Sequence, residues 1–304
     1  MQEQKVVKLI IFFLILSFFN AVSADIHAQY IESPNIGNLK LIPAGVFKAD
    51  KNTTTTMAVS VFYIATKEVT RSQYAVVMGI DQPNDGDLPV DDVSWYSAVV
   101  FCNKLSMSEG LTPVYSIKGE RDPALWGESP LEPDDRWNSI VYNTSADGYR
   151  LPTEAEWMWA AMGADTNVPV IDEKTKKRGT NIGGYNKLFA GYNWMNSIDA
   201  YAWIRTNSRN TIHPVGTKTP NELGLYDMSG NAPEWCWDWF DTLPLYGKLS
   251  NYIGPDDNKG RIFSERVIKG GSWQDYDDEV QLSTRKSVRP EKPMGGLRVV
   301  RRKM

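Results

Sequence analysis

Apolar and polar residues alternate with a period of two in several short stretches of the chain, a pattern typical of half-buried β-strands. Residues 38–47 alternate in this way around a Pro-Ala-Gly turn, and residues 59–64 repeat the alternation as one further strand. Four more short strands are predicted, at 114–117, 139–143, 266–271 and 297–301.

Three helices are predicted from start signals and from apolar residues three to four positions apart. The first begins after Thr70 in T-R-S-Q, which has the form of a capping box, and stops at Gly79. The second covers 94–108 with an apolar stripe, and the third begins after Thr153 in T-E-A-E and covers 154–162. Between 179 and 214 there is little periodicity, so long ordered loops are expected there.

The N-terminus has the pattern of an export signal. Lys5 and Lys8 precede an apolar run at 9–19, and small residues precede a cleavage point after Ala24. The run is shorter than the roughly 20 apolar residues that cross a bilayer. We therefore expect residues 1–24 to be a signal peptide, 25–37 a tail and 38–304 one domain. The mature protein would be periplasmic, cell-surface or secreted, with no membrane span.

The composition of the chain argues against several classes of function. The 304-residue chain has a formal net charge of −4, which argues against nucleic acid as a partner. Its two histidines disfavour three-His metal centres and Ser-His-Asp triads. Its two cysteines, Cys102 and Cys236, exclude a disulfide scaffold and leave open either one bridge or two buried thiols.

One segment, 224–240, combines two carboxylates, a Ser-Gly-Asn turn and three tryptophans. The turn at Gly230 lets the chain curl back, because Gly and Asn tolerate left-handed backbone conformations, and this brings Asp227 towards Glu234. Two acids held close repel, and a hard cation such as calcium would offset the repulsion. The alternative is an acidic loop over a tryptophan-rich core, and the spacing alone leaves both interpretations open.

Six blocks occur in order along the chain: F-Y-I-A-T-K-E-V-T at 62–70, P-V-D-D-V-S-W at 89–95, Y-R-L-P-T-E-A-E-W at 149–157, P-N-E-L-G-L-Y-D-M-S-G-N-A-P-E-W at 220–235, G-G-S-W at 270–273 and G-G-L-R-V-V at 295–300. With these blocks the chain resembles the formylglycine-generating enzyme, or sulfatase-modifying-factor, family from about residue 38 to its end. The resemblance implies a single α+β domain related to C-type lectins, with little regular secondary structure.

The same resemblance implies bound calcium. The family's second calcium site takes side-chain and main-chain oxygens from positions that match Asp227, Gly230, Ala232 and Glu234. The first calcium site is expected in the loops at 190–215, where Asn193 is the candidate.

Oxidase members of this family convert a substrate cysteine to formylglycine with copper held by two cysteine thiolates. Those cysteines follow the G-G-S-W-like strand, where this chain has Asp275 and Val280 at approximately the corresponding positions. Monovalent copper needs soft sulfur ligands, and no cysteine follows Cys236. We therefore expect neither the copper centre nor the oxidase activity.

Other exported members of the family resemble binding or assembly modules, with recognition surfaces near the same C-terminal segment. Adaptable polar and aromatic side chains in this segment suit a recognition face. The candidate ligand-facing residues are Trp273, Gln274, Asp275, Tyr276, Asp277, Arg285 and Arg289. The alternative is a solvated acidic loop whose acids pair with the two arginines.

Three functions are therefore weighed. The favoured one is an exported, calcium-stabilised binding or accessory module without cysteine-oxidase activity. The second is a formylglycine-generating oxidase that matures sulfatases, which would require Cys102 and Cys236 to converge on copper. The third is a different enzyme on the same scaffold, using Asp275 and nearby carboxylates.

Overall fold

The computed structural model describes residues 29–48, 54–164, 169–171, 178–180, 187–192, 195–255 and 264–304. The predicted signal peptide and Asn193 lie outside this range. In chain order the elements are β1 (Tyr30–Ser33), β2 (Gly37–Ile42), β3 (Gly45–Lys48), β4 (Thr56–Val59), β5 (Phe62–Ala65), α1 (Arg71–Met78), α2 (Trp95–Ser108), β6 (Tyr115–Ser116), α3 (Asp135–Asn138), β7 (Val141–Tyr142), β8 (Tyr149–Arg150), α4 (Glu154–Ala161), β9 (Pro169–Ile171), β10 (Arg178–Thr180), β11 (Glu234–Trp239), β12 (Lys248–Ser250), β13 (Arg266–Lys269), β14 (Lys286–Val288) and β15 (Val300–Arg302), with short 3-10 turns at Pro123–Leu125 and Ile198–Ala200.

The three predicted helices are confirmed together with their start signals. The Thr70 side chain accepts a hydrogen bond from the Gln73 backbone, and the Gln73 side chain accepts one from the Thr70 backbone, which completes a capping box. The second capping box joins Thr153 and Glu156 in the same way. α1 ends at Gly79, whose φ of 74° is the left-handed conformation that suits glycine.

The largest sheet is antiparallel and has the strand order β1-β2-β5-β15-β8. The final strand, β15, lies between β5 and β8, so residues near the C-terminus sit in the middle of the sheet. One of the two edge strands of this sheet, β1, lies in the segment predicted as a tail. The other strands form small sheets, including the three-stranded β11-β13-β14 and β12-β4-β3.

The prediction of one strand over 59–64 is wrong. Val59 ends β4 and Phe62 begins β5, and the two strands belong to different sheets. The stretch 38–47 likewise divides into β2 and β3, again in different sheets. Apolar alternation records which side of each strand is buried, but it does not record which neighbour the strand pairs with.

The core consists of two main clusters that meet along β11. One surrounds α2 and contains Trp95, Trp235 and Cys102, and the other surrounds α4 and contains Trp157 and Cys236. Both cysteines are buried and free, so no disulfide joins them. Among the described residues, no helix has the length and apolar character needed to cross a bilayer.

Asp238 on β11 is buried beside the start of α4 and accepts a 2.8 Å hydrogen bond from the Glu154 backbone. Burial, followed by the charge of Glu154, raises the pKa of Asp238 to about 8. An acid whose folded-state pKa is raised loses stabilising free energy as pH rises from its unfolded pKa, about 4, to its folded pKa.

Asp238→Asn should therefore increase the free energy of unfolding by at least about 1 kcal/mol at pH 8, because the amide removes the buried charge and keeps an acceptor for Glu154. The gain should disappear near pH 4. Urea denaturation at both pH values measures the difference, and equal stabilities of variant and wild type at pH 8 would contradict the assignment.

Candidate functional site

Glu68, Asp227 and Glu234 bring their carboxylates together around the guanidinium of Arg298, and we call these four side chains the acidic cluster. Each is at most 2% exposed. Arg298 holds Glu234 with two hydrogen bonds to Oε1, from Nη2 at 2.7 Å and from Nε at 3.0 Å. The Trp157 indole donates to Glu234 Oε2 at 2.7 Å. Arg298 also donates to the backbone carbonyls of Ala65 and Tyr226.

Backbone register brings these residues together. Gly296 pairs with Glu234 as an isolated parallel bridge, which places Arg298, two residues further on, against the start of β11. Glu68 lies shortly after β5. The backbone N–H of the next residue, Val69, donates to the Leu297 carbonyl at 2.9 Å, which places Glu68 close to Arg298. Neither Glu68 nor Arg298 is predicted from the sequence as a site residue. Glu68 lies in the E-V-T block and Arg298 in the G-L-R block, both of which carry the family resemblance.

Glu68 closes the Ser-Gly-Asn turn. Its Oε1 accepts from the Ala232 backbone at 2.9 Å, and its Oε2 accepts from the Asn231 side chain at 2.8 Å. The predicted left-handed conformations are present, with φ of 75° at Gly230 and 60° at Asn231. A side chain at Gly230 would also place its Cβ 2.1 Å from the Trp203 carbonyl oxygen, so only glycine fits.

The cluster carries three carboxylates against one guanidinium. Burial, and then the charge of Asp227, raises the pKa of Glu68. Burial also raises the pKa of Asp227 to about 6, although the Gly216 backbone and Arg298 oppose the shift. Asp227 Oδ2 accepts from the Gly216 backbone at 2.6 Å, whereas its Oδ1 is buried and receives no hydrogen bond from the described residues.

Three oxygen atoms at the Ser-Gly-Asn turn are suited to bind a hard cation. Besides Asp227 Oδ1, the carbonyl oxygens of Gly230 and Ala232 accept no hydrogen bond from the described part of the chain. Hard oxygens around excess negative charge are what calcium prefers. No group of three or more His, Cys, Asp or Glu side chains in the described ranges is arranged as a ready metal site, so calcium here would require those main-chain oxygens. Glu234 would share its carboxylate between the ion and Arg298.

A second region is a cavity of about 610 Å³ beside β13 and β14, which we call the recognition cleft. Its walls include the predicted ligand-facing residues Trp273, Gln274 and Asp275. Tyr276 is half exposed with the Arg205 guanidinium over its ring at 5.4 Å, and Asp277 is exposed; neither lines the cleft.

Asp275 and Val280, the positions that approximately match the family's copper cysteines, both lie against Gly271. A Cβ added at Gly271 would lie 2.7 Å from Val280 Cγ1 and 3.2 Å from Asp275 Oδ2. Asp275 Oδ1 forms a 2.7 Å ion pair with Lys286, and its Oδ2 accepts two hydrogen bonds from Ser272. A lysine-carboxylate pair in the cleft wall and the buried isopropyl group of Val280 therefore flank Gly271.

The prediction that Arg285 and Arg289 pair with the loop acids is wrong. Arg285 binds Glu154 through Nε at 2.6 Å and Nη2 at 2.8 Å, and Arg289 lies 3.2 Å from Glu291. Neither arginine lines the recognition cleft. Lys286, the first residue of β14, instead reaches both Asp275 and Glu279.

An irregular α+β fold, a carboxylate-lined Ser-Gly-Asn turn and a cleft beside the G-G-S-W segment together define the class of protein. The chain belongs to the sulfatase-modifying-factor family, since residues 29–303 match the domain described as "Sulfatase-modifying factor enzyme 1-like domain". The sequence-based resemblance and the predicted fold class are thereby confirmed.

Individual relatives agree with this assignment. The chain is similar to the Chaperone protein LppX of Paenibacillus barcinonensis, at 34% identity over 88% of this chain and 90% of that protein. It is also similar to the Formylglycine-generating enzyme of Streptomyces coelicolor, at 30% identity, but the match covers only 53% of this chain and 48% of the enzyme. Among solved structures, Treponema denticola variable protein 1 superposes with a TM-score of 0.71 at 27% identity, over 90% of this chain and 99% of that one.

Proposed function

We propose that this protein is an exported, calcium-stabilised binding or accessory module without cysteine-oxidase activity. The observation that carries the proposal is the chemistry beside Gly271, where Asp275 is ion-paired with Lys286 and Val280 is buried. Neither side chain supplies the soft sulfur that monovalent copper requires. Export rests on the pattern of residues 1–24. Calcium rests on Asp227 Oδ1 and on the Gly230 and Ala232 carbonyl oxygens, which accept no hydrogen bond from the described residues.

The remaining sulfur atoms are poorly placed for a rearranged oxidase. Cys102 packs in the cluster around α2, and Cys236 packs in the cluster around α4. Both are fully buried, and burial raises the pKa of each thiol above its ordinary value. A copper site that accepts a peptide needs cysteines that are deprotonated and that the substrate can reach. Burial of Cys102 and Cys236 disfavours both the thiolate form and access by a substrate.

An accessory role is also supported by the relative that is named as a chaperone protein, which matches this chain along most of its length. The recognition cleft is the surface best suited to a partner. It combines the indole of Trp273 and the amide of Gln274 with a fixed Asp275–Lys286 pair. Its volume lies within the roughly 300–1,000 Å³ typical of binding sites.

The absence of oxidase activity is tested with a Cys-x-Pro-x-Arg peptide, copper and oxygen. The purified protein should leave the peptide thiol intact and form no aldehyde, as measured by thiol titration and mass spectrometry. A formylglycine-generating enzyme in parallel reactions is the positive control. If formylglycine formed with the wild type and was lost in a Cys102→Ala/Cys236→Ala variant, the rearranged-oxidase alternative would replace this proposal.

A further inference from the structure

A second cavity, of about 500 Å³, lies over the large sheet and shares no lining residue with the recognition cleft. We call it the basic pocket. Its wall contains Phe62 of β5, Arg150 of β8, Arg302 of β15 and the adjacent Lys303. The proposed function assigns no role to this cavity.

Strand register explains why the pocket gathers cations. Val300 on β15 is paired with Arg150 on β8, and Arg302 is paired with Phe62 on β5. Paired residues of antiparallel strands face the same side of a sheet, as do residues two apart on one strand. Arg302 therefore lies on the same face as Arg150 and Phe62, whereas Arg301 lies on the opposite face.

Among the described residues, Arg150 is the only one of these three cations that pairs with a carboxylate side chain. Arg150 is neutralised by Glu156, with hydrogen bonds of 2.6 and 2.7 Å to the two carboxylate oxygens. Arg302 donates to the Thr144 carbonyl at 3.1 Å and, like Lys303, forms no ion pair with a carboxylate side chain of the described residues. The side chains of the wall thus include three cations and one carboxylate, Glu156, and the α-carboxylate of Met304 belongs to the same wall, in a chain whose formal net charge is −4.

The polar lining also favours an acceptor as ligand. The hydroxyls of Ser60 and Thr153 already accept hydrogen bonds, from Asn251 and Glu156, so each retains its proton for donation. Tyr142 lines the same cavity, with the Arg150 guanidinium over its ring at 5.6 Å. The partly buried Ile253 supplies an apolar wall beside these donors, and Phe62, which is 1% exposed, lies beneath the cavity in the core.

We propose that the basic pocket binds a small organic anion. Its phosphate, sulfate or carboxylate group would lie between Arg302 and Lys303, and its apolar or ring portion would lie against Ile253. Charge-assisted hydrogen bonds from the guanidinium and the ammonium hold the anionic group. The pocket volume suits such a molecule. This inference does not depend on the role of the recognition cleft.

Phenyl phosphate is the probe, titrated by calorimetry at constant ionic strength with the full mature chain. We expect saturable binding that weakens about tenfold in Arg302→Gln and in Lys303→Gln, since each removes one charge-assisted contact. Arg301→Gln is the matched control, because Arg301 is on the same strand but contacts the Asp147 carbonyl outside the pocket. This variant should bind as wild type does.

Each other outcome overturns the proposal. Wild-type protein that shows no saturable binding has no such site, and an equal loss in Arg301→Gln means that only the overall charge matters. Benzyl alcohol that binds as tightly as phenyl phosphate would show an apolar site without anion recognition. Inorganic phosphate and sulfate in separate titrations distinguish the preferred anionic group, and unliganded melting temperatures verify that every variant is folded.

Discussion

Replacing Arg298 with methionine should lower the free energy of unfolding by about 3–5 kcal/mol, the cost of removing one partner from a buried ion pair. Arg298 and Glu234 both have fully buried side chains. Without the guanidinium, Glu68, Asp227 and Glu234 would remain as three buried carboxylates, and the Ala65 and Tyr226 carbonyls would each lose a hydrogen-bond donor. Urea denaturation of the variant and of wild type measures the change.

A double-mutant cycle with Glu234→Gln separates charge from packing. The second substitution removes the uncompensated carboxylate, so it should restore part of the stability lost in Arg298→Met, and the two effects should not be additive. Arg298→Lys keeps the charge but loses the planar fork and should be intermediate. Arg301→Met is the control for a half-buried arginine. A loss below about 1 kcal/mol in Arg298→Met, or additive effects in the cycle, would contradict a central role for this pair.

Features with local causes could be predicted from the sequence. The helix starts at Thr70 and Thr153 were found because a capping box is complete within four residues. The turn at Gly230 and Asn231 was found because its left-handed conformations are intrinsic to those residue types. Asp227 was placed in the candidate site for the same local reason.

Features that depend on distant partners could not be predicted. Glu68 contacts residues more than 160 positions away, and nothing in its neighbourhood signals that contact. β11 is not predicted from the sequence. Although its tryptophans fall at every second position, the acids beside them are buried too, so its polar residues do not mark a solvent-facing side. The sequence predicts Arg285 and Arg289 as partners of the loop acids, whereas Lys286 pairs with Asp275, because the direction of each side chain is set by the tertiary structure and not by the spacing of charges.

In the acidic cluster, the residues proposed to bind a cation also hold the fold together. Glu234 is the first residue of β11 and accepts hydrogen bonds from Arg298. Asp227 Oδ1 and the carbonyl oxygens of Gly230 and Ala232 accept no hydrogen bond from the described residues. A divalent cation at these oxygens would offset the excess of two negative charges that one guanidinium leaves. The same ion would fix the turn to the tryptophan core through Glu234 and Trp157.

Removing calcium should therefore lower the melting temperature. At a calcium concentration about 100 times the Kd, an ion bound only by the folded state contributes about 2.7 kcal/mol. For a domain of this size that corresponds to a decrease of roughly 5–10 °C on removal. The measurement compares metal-free protein with and without added calcium chloride, with magnesium chloride as the control for ionic strength and for divalent charge.

Alanine substitutions and a change of pH test which residues would bind calcium. Asp227→Ala and Glu234→Ala should each abolish the response to calcium, whereas Asp275→Ala, in the separate recognition cleft, should retain it. Because the pKa of Asp227 is raised to about 6, the contribution of Asp227 to the free energy of unfolding of the metal-free protein should fall as pH rises from about 4 to 6. The proposed calcium ion would bind the ionised carboxylate, so its stabilising effect should be larger at pH 7.5 than at pH 5. A melting temperature that is unchanged by calcium at pH 7.5 would remove the ion from the acidic cluster.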